Sequence, residues 1–386
     1  MRARLFFFFP LFLALLIPSA PPRKPADIVK SEKANFRIDT VASGLEHPWS
    51  LAFLPDGRML VTERPGRLRV LAPDGNLSLP VEGLPAVAAV GQGGLLDIVL
   101  APDFNESRRI YFSFAEPRGP AGAVNPNSTS LASARFLEED GKAKLADVNV
   151  IFRAEPATEG GLHFGSRIAI APDGALFLTT GERNLKAAAQ DLSNHLGKVF
   201  RVRADGTAPP DNPFVGNKNA RPEIWSYGHR NVQGAAIHPA TGKLWIAEQG
   251  PKGGDEINVP EKGKNYGWPV IGYGVDYSGA KIHEGTHKEG MEQPIYHWAP
   301  TSIGPSGMTF YTGEAFPGWK GSLFVGALAL PHLDRLELDG EKVVKEERLL
   351  VDRGLRIRDV RQAPDGTLWL LTDSRDGKVL HLVPEK

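Results

Sequence analysis

Short apolar runs separated by turn residues recur along the whole chain. In the segment 160–183 one apolar run ends at Pro172-Asp173-Gly174, and a second apolar run follows directly. Proline presets the backbone for such a turn and glycine takes a conformation that other residues resist, so the pattern predicts a β-hairpin. Five further copies predict hairpins at 51–64, 98–113, 235–248, 308–326 and 360–372.

The number and spacing of these hairpins indicate the fold class. About 350 residues follow residue 36, so each hairpin unit has roughly 60 residues, which suits one four-stranded sheet with its loops. Packing six such sheets radially hides the strand edges that an open sheet would expose. The sequence therefore predicts an all-β, six-bladed β-propeller of four-stranded antiparallel blades over residues 36–386. A β-sandwich or two smaller all-β domains are the alternatives.

Charge and cysteine content narrow the classes of partner. The 45 basic and 45 acidic side chains balance, so no net field draws the chain to nucleic acid or to an anionic membrane. The chain has no cysteine, which excludes disulfides and thiolate metal sites. A small-molecule ligand therefore fits the composition better than a nucleic acid.

The first 20 residues have the pattern of an export signal. Arg2 and Arg4 precede an apolar run that ends at Ile17, and small residues follow it. This pattern predicts a signal peptide or a retained N-terminal anchor over 1–20. The run is too short for an ordinary spanning helix, so we expect no membrane span beyond that anchor. The polar, proline- and lysine-rich composition of residues 21–35 predicts a linker. From the export pattern we expect a periplasmic or secreted protein.

Polar side chains stand at a similar distance before each hairpin turn. In a propeller the innermost strand of every blade begins at the same end of the central channel, so the residues just before these strands meet at one channel mouth. These positions hold His47, Gln92, His163, Arg230, Ser302 and Arg356. Taken singly, each is explained by a loop hydrogen bond or a surface ion pair. Together they suit a flat polyanionic ligand, because arginine binds carboxylates through two parallel hydrogen bonds.

An acidic, glycine-rich segment lies at 248–258. Its carboxylate and carbonyl oxygens are the ligand type that Ca²⁺ prefers. The segment lacks the EF-hand loop pattern, so its spacing alone favours a plain turn. The insertion at 252–300 is long and carries aromatic residues, among them Tyr277, which favours either ligand binding or packing over a blade edge.

Eight motifs follow one another through residues 40–385. They are His47-Pro48-Trp49, Gly91-Gln92-Gly93-Gly94-Leu95-Leu96-Asp97, Leu162-His163-Phe164-Gly165, Ser226-Tyr227-Gly228-His229-Arg230-Asn231, Glu248-Gln249-Gly250-Pro251, Asp255-Glu256-Ile257-Asn258, Asn265-Tyr266-Gly267-Trp268-Pro269 and Arg356-Ile357-Arg358-Asp359-Val360. In this order they resemble the soluble quinoprotein glucose/sorbosone dehydrogenase family, and within it the aldose sugar dehydrogenase branch, which depends on pyrroloquinoline quinone (PQQ).

The resemblance implies a six-bladed propeller that binds PQQ and Ca²⁺. The implied reaction oxidises the anomeric carbon of an aldose to a lactone by hydride transfer to Ca²⁺-bound PQQ, with His163 as general base and Arg230 as a second catalytic residue. The implied cofactor contacts are Gln92, His163, Arg230, Asn231, Tyr277, Arg356 and Arg358. The implied calcium ligands are the carbonyls of Gly250 and Pro251 at the quinone, and Glu256 with the Tyr266 carbonyl at a structural ion. An external quinone or cytochrome would accept the electrons, and the protein would be a monomer or homodimer.

The chain departs from the family pattern at two positions. Family members often carry a lysine after the fifth inner hairpin, whereas the segment 326–332, around Ala329, has none. Leu162 stands where the glucose dehydrogenases carry an acid, which favours broader sugar selectivity. Two alternatives therefore stay open: a calcium-dependent propeller lactonase or other hydrolase, and a non-catalytic carbohydrate-binding propeller that has lost the quinone.

Overall fold

The computed structural model describes residues 28–385, and most of its regular structure is β-strand. In chain order the strands are β1 (Ile28–Lys30), β2 (Asn35–Leu45), β3 (Pro48–Phe53), β4 (Met59–Glu63), β5 (Arg67–Leu71), β6 (Leu95–Leu100), β7 (Arg109–Pro117), β8 (Asn127–Glu139), β9 (Lys142–Arg153), β10 (Ile168–Ile170), β11 (Leu176–Thr179), β12 (Lys198–Val202), β13 (Ile224–Tyr227), β14 (Val232–Ile237), β15 (Leu244–Glu248), β16 (Asp255–Asn258), β17 (Tyr296–Trp298), β18 (Pro305–Phe310), β19 (Leu323–Ala327), β20 (His332–Asp339), β21 (Lys342–Leu349), β22 (Ile357–Gln362), β23 (Leu368–Thr372) and β24 (Gly377–Glu385). The helical elements are α1 (Phe104–Ser107) and 3-10 turns at Lys186–Gln190, Pro317–Trp319 and Val351–Arg353. Within residues 28–385, no helix has the length and apolar character needed to cross a membrane.

These strands form six antiparallel sheets, the blades. Blade 1 is β3–β5, blade 2 is β6–β9, blade 3 is β10–β13, blade 4 is β14–β17 and blade 5 is β18–β21, while blade 6 joins β22–β24 to β2 and β1. The innermost strands contact one another in a closed ring, from β3 through β6, β10, β14, β18 and β22 back to β3. The predicted six-bladed propeller is confirmed, and the six predicted hairpins are the two inner strands of the six blades.

Blade 1 has three regular strands, and an irregular segment takes the position of its fourth. The backbone N–H of Ser78 donates to the Val70 carbonyl and that of Val81 donates to the Leu68 carbonyl, each at 2.8 Å. Pro80 lies between these donors and has no N–H of its own, which prevents a continuous ladder.

Blade 6 joins the two ends of the described chain. β2 pairs with β24, with Asn35 opposite Glu385, so hydrogen bonds between early and late residues close the ring. The predicted linker 21–35 is wrong in its second part, because β1 pairs with the outer edge of β2, with Ile28 opposite Arg37. The unpaired backbone groups of that edge offer a partner to any extended segment beside them. The predicted signal or anchor at 1–20 lies outside the described residues.

Apolar side chains fill the space between blades, whereas the hub of the ring is charged. Arg167 is buried between Asp97 at 3.2 Å and Asp359 at 3.0 Å. Arg361 contacts the same two carboxylates at 2.9 and 2.8 Å. The Arg167 guanidinium lies 4.1 Å from the ring centroid of Trp49. These side chains come from blades 1, 2, 3 and 6, so the ion network ties four inner strands together.

Candidate active site

A cavity of about 530 Å³ opens at the end of the channel where the inner strands begin. Its walls combine residues that precede inner strands with residues that follow the second strands, such as Gln249 and Asp373. Both sets lie at one end because adjacent antiparallel strands run in opposite directions. Four of the predicted cofactor contacts line this cavity, namely Gln92, Tyr277, Arg356 and Arg358, together with the predicted calcium ligands Gly250 and Pro251. Tyr277 is 72% exposed and lies at the rim.

His163 lies beside this lining and is paired with a carboxylate. Its Nδ1 is 2.6 Å from Glu182 Oε1. A carboxylate accepts hydrogen bonds, so in the neutral ring Nδ1 carries the hydrogen and Nε2 has the free lone pair. The His163 backbone N–H donates to Gln92 Oε1 at 2.9 Å. Burial lowers the pKa of His163 more than Glu182 raises it, and Arg230 lowers it further, so the imidazole is neutral at neutral pH.

The loop that carries His163 is fixed by close backbone contacts. His163 has a φ of 51°, in the left-handed region. A Cβ on Gly181 would lie 2.1 Å from the His163 carbonyl oxygen, so only glycine fits there. Asn231 Oδ1 accepts the N–H of Gly165 at 3.1 Å, and its Nδ2 donates to Gln249 Oε1 at 3.0 Å. The Asn231 amide therefore positions the histidine loop.

Arg230 is linked to His163 through Glu182, and neither residue is among those that line the 530 Å³ cavity. The Glu182 backbone N–H donates to the Arg230 carbonyl at 2.9 Å, while its carboxylate holds the imidazole. The Arg230 guanidinium donates to the carbonyls of Gln249 at 2.9 Å and Gly250 at 2.7 Å. The structure thus brings the two predicted catalytic residues together, with the Arg230 charge held against the loop that contains Gly250.

Asp373 organises the cationic side of the cavity. Arg356 Nη2 and Arg358 Nη2 donate to its Oδ2 at 3.1 and 2.7 Å, and His47 Nδ1 lies 2.8 Å from its Oδ1. Burial alone would raise the pKa of Asp373, but the Arg358 charge and the His47 hydrogen bond lower it overall. Arg64 lines the same cavity, and the Nε atoms of Arg64 and Arg358 are buried without hydrogen-bond partners. The cationic side chains that line this cavity, Arg64, Lys252, Arg356 and Arg358, suit a carboxylate-bearing ligand.

Asp255 fixes the loop of the predicted catalytic calcium. Its Oδ1 accepts the N–H of Gly250 at 2.8 Å, and its Oδ2 accepts two backbone N–H groups that precede β18. Ser302 Oγ lies 3.1 Å from both Asp255 Oδ1 and the Pro251 carbonyl oxygen. The Gly250 and Pro251 carbonyls are therefore held at the cavity edge, and each oxygen has a second lone pair for a cation.

A second, small cavity of about 20 Å³ lies on the other side of Gly250 and Pro251, a volume that holds about one water molecule or ion. Glu248, Glu256 and Tyr266 line it, so the two residues predicted for the structural calcium meet. Burial and the neighbouring Glu248 raise the pKa of Glu256 well above its usual range. Two adjacent carboxylates around a space of this size fit a divalent cation.

Sequence reasoning missed the carboxylates that hold the site residues. Glu182 and Asp373 follow the second strands of blades 3 and 6, and Glu63 and Glu248 end those of blades 1 and 4. Aligning the hairpin repeats on these strand ends would have revealed the shared position. In blade 5 the corresponding position is Leu328, whose carbonyl accepts Arg356 Nη1 at 2.5 Å.

The basic side chains of the 530 Å³ cavity come from segments other than 326–332. Arg64 and Lys252 line its wall together with Arg356 and Arg358. The cavity is therefore strongly basic without the lysine that family members often carry after the fifth inner hairpin.

Comparison with known proteins agrees with this geometry. A profile of the family described as Glucose / Sorbosone dehydrogenase matches residues 45–381. The aldose sugar dehydrogenase YliI of Escherichia coli K12 is 46% identical over 354 residues, which are 91% of this chain and 94% of that protein. The crystal structure of the soluble aldose sugar dehydrogenase from E. coli in the apo-form matches with a TM-score of 0.86 at 45% identity, covering 91% of this chain and 100% of that chain. The PQQ-bound form of aldose sugar dehydrogenase from Streptomyces coelicolor matches with a TM-score of 0.74 at 29% identity, covering 91% and 99%. The resemblance seen in the motifs is thus confirmed, and the chain belongs to the glucose/sorbosone dehydrogenase family as a sugar dehydrogenase.

Proposed function

We propose that this protein oxidises the anomeric carbon of aldose sugars to lactones, with PQQ and Ca²⁺ as cofactors. The observation that carries the proposal is the His163–Glu182 pair, which leaves Nε2 as a free base on a residue whose backbone N–H binds Gln92 of a cavity that three arginines line. The similarity to aldose sugar dehydrogenases, one of them PQQ-bound, supports the same cofactor and substrate class.

The residues present fit these cofactors. PQQ is a planar tricarboxylate, and Arg64, Arg356, Arg358 and Lys252 offer cationic donors around one cavity. The carbonyls of Gly250 and Pro251 would hold one Ca²⁺, and the small cavity at Glu256 would hold the second. When bound, the quinone and its calcium would supply an electrophile that accepts hydride from the sugar carbon.

The chain's own residues bind the sugar hydroxyl and move its proton. His163 Nε2 takes the proton of the anomeric hydroxyl, and a positioned base of this kind contributes about 10²–10⁴-fold to the rate. The Glu182 carboxylate then faces an imidazolium and stabilises its charge. Gln92 and Asn231 hold the loop so that the ring keeps its orientation. Arg230 disfavours a charged imidazole before the reaction and so keeps the base ready.

Reconstitution tests this function directly. Protein supplied with PQQ and Ca²⁺ should reduce an acceptor dye with several aldoses, and protein without PQQ should not. His163→Ala should bind PQQ with the same spectrum and lose most of the turnover. Neither dye reduction with any aldose nor a PQQ spectrum in the wild-type protein would reject the proposal. Lactone hydrolysis without PQQ would favour the hydrolase alternative, for which the cationic wall offers no support.

We also propose that the enzyme works outside the cytoplasm and passes its electrons to an external quinone or cytochrome. The N-terminal pattern of two arginines and an apolar run supports this location. Fractionation of cells that produce the full chain, or a chain that begins at residue 21, tests it: only the full chain should reach the periplasm or medium.

A further inference from the structure

A cluster of three metal-ligating side chains lies in blade 5, outside the residues that line the 530 Å³ cavity. His332 and Asp334 are two positions apart on β20 and therefore share one face of the strand. Glu346 lies on the neighbouring strand β21. One possible ligand atom from each side chain lies within 4.8 Å of the other two. Within residues 28–385, this is the only group of three His, Asp or Glu side chains with that spacing.

The protonation of His332 follows from its partner. Nδ1 lies 2.6 Å from the carbonyl oxygen of Leu330. A carbonyl only accepts, so Nδ1 carries a hydrogen and, in the neutral ring, Nε2 presents a lone pair. The residue is 2% exposed, and Nε2 is buried without a hydrogen-bond partner. Metal-bound histidines typically donate their second nitrogen to a carbonyl in this way.

Asp334 also has an unused acceptor in the same dry space. Its Oδ2 accepts Trp298 Nε1 at 3.1 Å, whereas Oδ1 is buried without a partner. The distance from His332 Nε2 to Asp334 Oδ2 is 3.8 Å, which is too long for a hydrogen bond. A shared proton therefore does not satisfy the two side chains, and each of them keeps a buried acceptor without a donor, which is costly.

Glu346 completes the group and provides the route to solvent. Its side chain is 22% exposed. Tyr296 OH donates to Oε2 at 2.6 Å and Arg348 Nε donates to Oε1 at 2.5 Å. Each oxygen keeps a second lone pair. Arg348 offsets one of the two carboxylate charges, so the group keeps a net negative charge that attracts a cation.

We propose that His332, Asp334 and Glu346 bind one divalent transition-metal ion, with Zn²⁺ as the best match, through Nε2 and one oxygen of each carboxylate. One imidazole nitrogen with two carboxylates suits Zn²⁺, while Ca²⁺ prefers oxygen ligands alone. At metal–ligand distances of about 2.1 Å, tetrahedral ligand atoms are about 3.4 Å apart, so atoms that now lie within 4.8 Å of one another would approach by up to about 1.4 Å.

The bound ion would fasten two blades. Trp298 and Tyr296 belong to β17 of blade 4, and they hold the carboxylates of Asp334 and Glu346. His332 donates a hydrogen bond to the carbonyl of Leu330, a residue that lines the 530 Å³ cavity. The ion would therefore stabilise the interface of blades 4 and 5 and the wall of the cavity beside it.

Zinc titration of untagged protein tests the site. The protein is stripped with a chelator, returned to saturating Ca²⁺ and titrated with ZnCl₂ in a calorimeter. The wild-type protein should bind one Zn²⁺ per chain and gain thermal stability. His332→Gln and Asp334→Asn should each weaken this binding by more than about tenfold. His287→Gln, which removes an exposed histidine of the long insertion, should bind Zn²⁺ as the wild type does. No Zn²⁺ binding by the Ca²⁺-loaded wild type, or unchanged affinity in both variants, would overturn the proposal.

X-ray absorption at the zinc edge of the wild-type protein gives a test that needs no variant. One imidazole together with oxygen ligands is expected. A shell with two or more imidazoles, or with oxygen alone, would place the ion elsewhere and overturn the assignment. Neither experiment depends on sugar oxidation, so the site and the proposed enzyme activity fail separately.

Discussion

Replacing Glu182 with glutamine removes the charge that orients the base of the proposed reaction and keeps the side-chain shape. Glu182 Oε1 holds His163 Nδ1 at 2.6 Å, and Glu182 Oε2 is buried without a hydrogen-bond partner. The amide NH₂ of a glutamine therefore has two poor positions. At the Oε2 position it is buried and unsatisfied, and at the Oε1 position it forces the imidazole hydrogen onto Nε2, where no base is left.

The size of the effect follows from these two positions. A hydrogen bond to a charged group contributes about 1.5–3 kcal/mol and a neutral one about 0.5–1.5 kcal/mol, so the lost charge costs roughly 1–2 kcal/mol. An unsatisfied buried donor adds about 1–3 kcal/mol. The two costs together are roughly 2–5 kcal/mol, so at about 1.4 kcal/mol per tenfold kcat should fall between about 30-fold and about 4,000-fold.

The assay is dye reduction by PQQ- and Ca²⁺-loaded enzyme across a range of pH. Glu182 raises the pKa of His163 against the effect of burial. Without Glu182 that pKa falls further, so the acid limb of kcat should move to lower pH while PQQ affinity stays unchanged. Glu116→Gln is the matched control, because Glu116 lies near the end of the second strand of blade 2 and binds Ser130 and Arg153 instead.

Glu182 does not orient the base if Glu182→Gln keeps kcat within about twofold of the wild type and an unshifted pH profile. A loss of kcat equally large in Glu116→Gln would also contradict this role of Glu182, because the effect would then reflect a general loss of buried charge. Equal melting temperatures of the two variants would show that activity and stability have been separated.

Four further predictions follow from other parts of the structure. Because burial lowers the pKa of His163 below 6.5 and a base acts only when unprotonated, the acid limb of the kcat/KM profile should have its midpoint below pH 6.5, as a pH–rate profile will show. Arg358→Gln should weaken PQQ binding by about 10- to 100-fold, the value of one charge-assisted hydrogen bond, measured by direct titration with PQQ. Since the pKa of Glu256 is raised, Ca²⁺ binding should release protons and be tighter at about pH 8 than at about pH 6, which calorimetry in two buffers will detect. Arg167→Met leaves two buried hub carboxylates underpaired and should cost about 3–5 kcal/mol of unfolding free energy in urea, whereas a surface change such as Lys281→Met should cost little.

The propeller was predictable because its signal is local. Contiguous residues, such as the turn at Pro172-Asp173-Gly174, are enough to predict each inner hairpin. No contiguous pattern predicts the closure of the ring, because β2 and β24 pair residues from opposite ends of the chain. β1 was missed for the same reason: three residues gain a strand conformation only from the edge they join. In blade 1, Pro80 breaks a ladder that the repeat count alone would make regular.

The sequence predicted where the site lies in the fold, but not which side chains are hydrogen-bonded to one another there. Counting back from the turns placed Gln92 and Arg356 at one mouth, since blade geometry fixes where inner strands begin. The pairing of His163 with Glu182 depends on a left-handed backbone at the histidine and on the contact with Gly181, which no spacing encodes. The direction of the Arg230 side chain, towards backbone carbonyls, likewise depends on a loop whose shape is set by Asp255.

Both ends of the described chain lie in blade 6, where the first described residues form the edge strand β1 and the last form β24, the middle strand of the five. β1 and β2 are the two strands of that sheet furthest from β22, and Glu385 lies opposite Asn35. β24 runs in the same direction as β22, which begins at the cavity end, so Glu385 lies at the opposite face of the ring. A tether attached at the C-terminal side would therefore hold the protein on an electrode or bead with the cavity facing the solution.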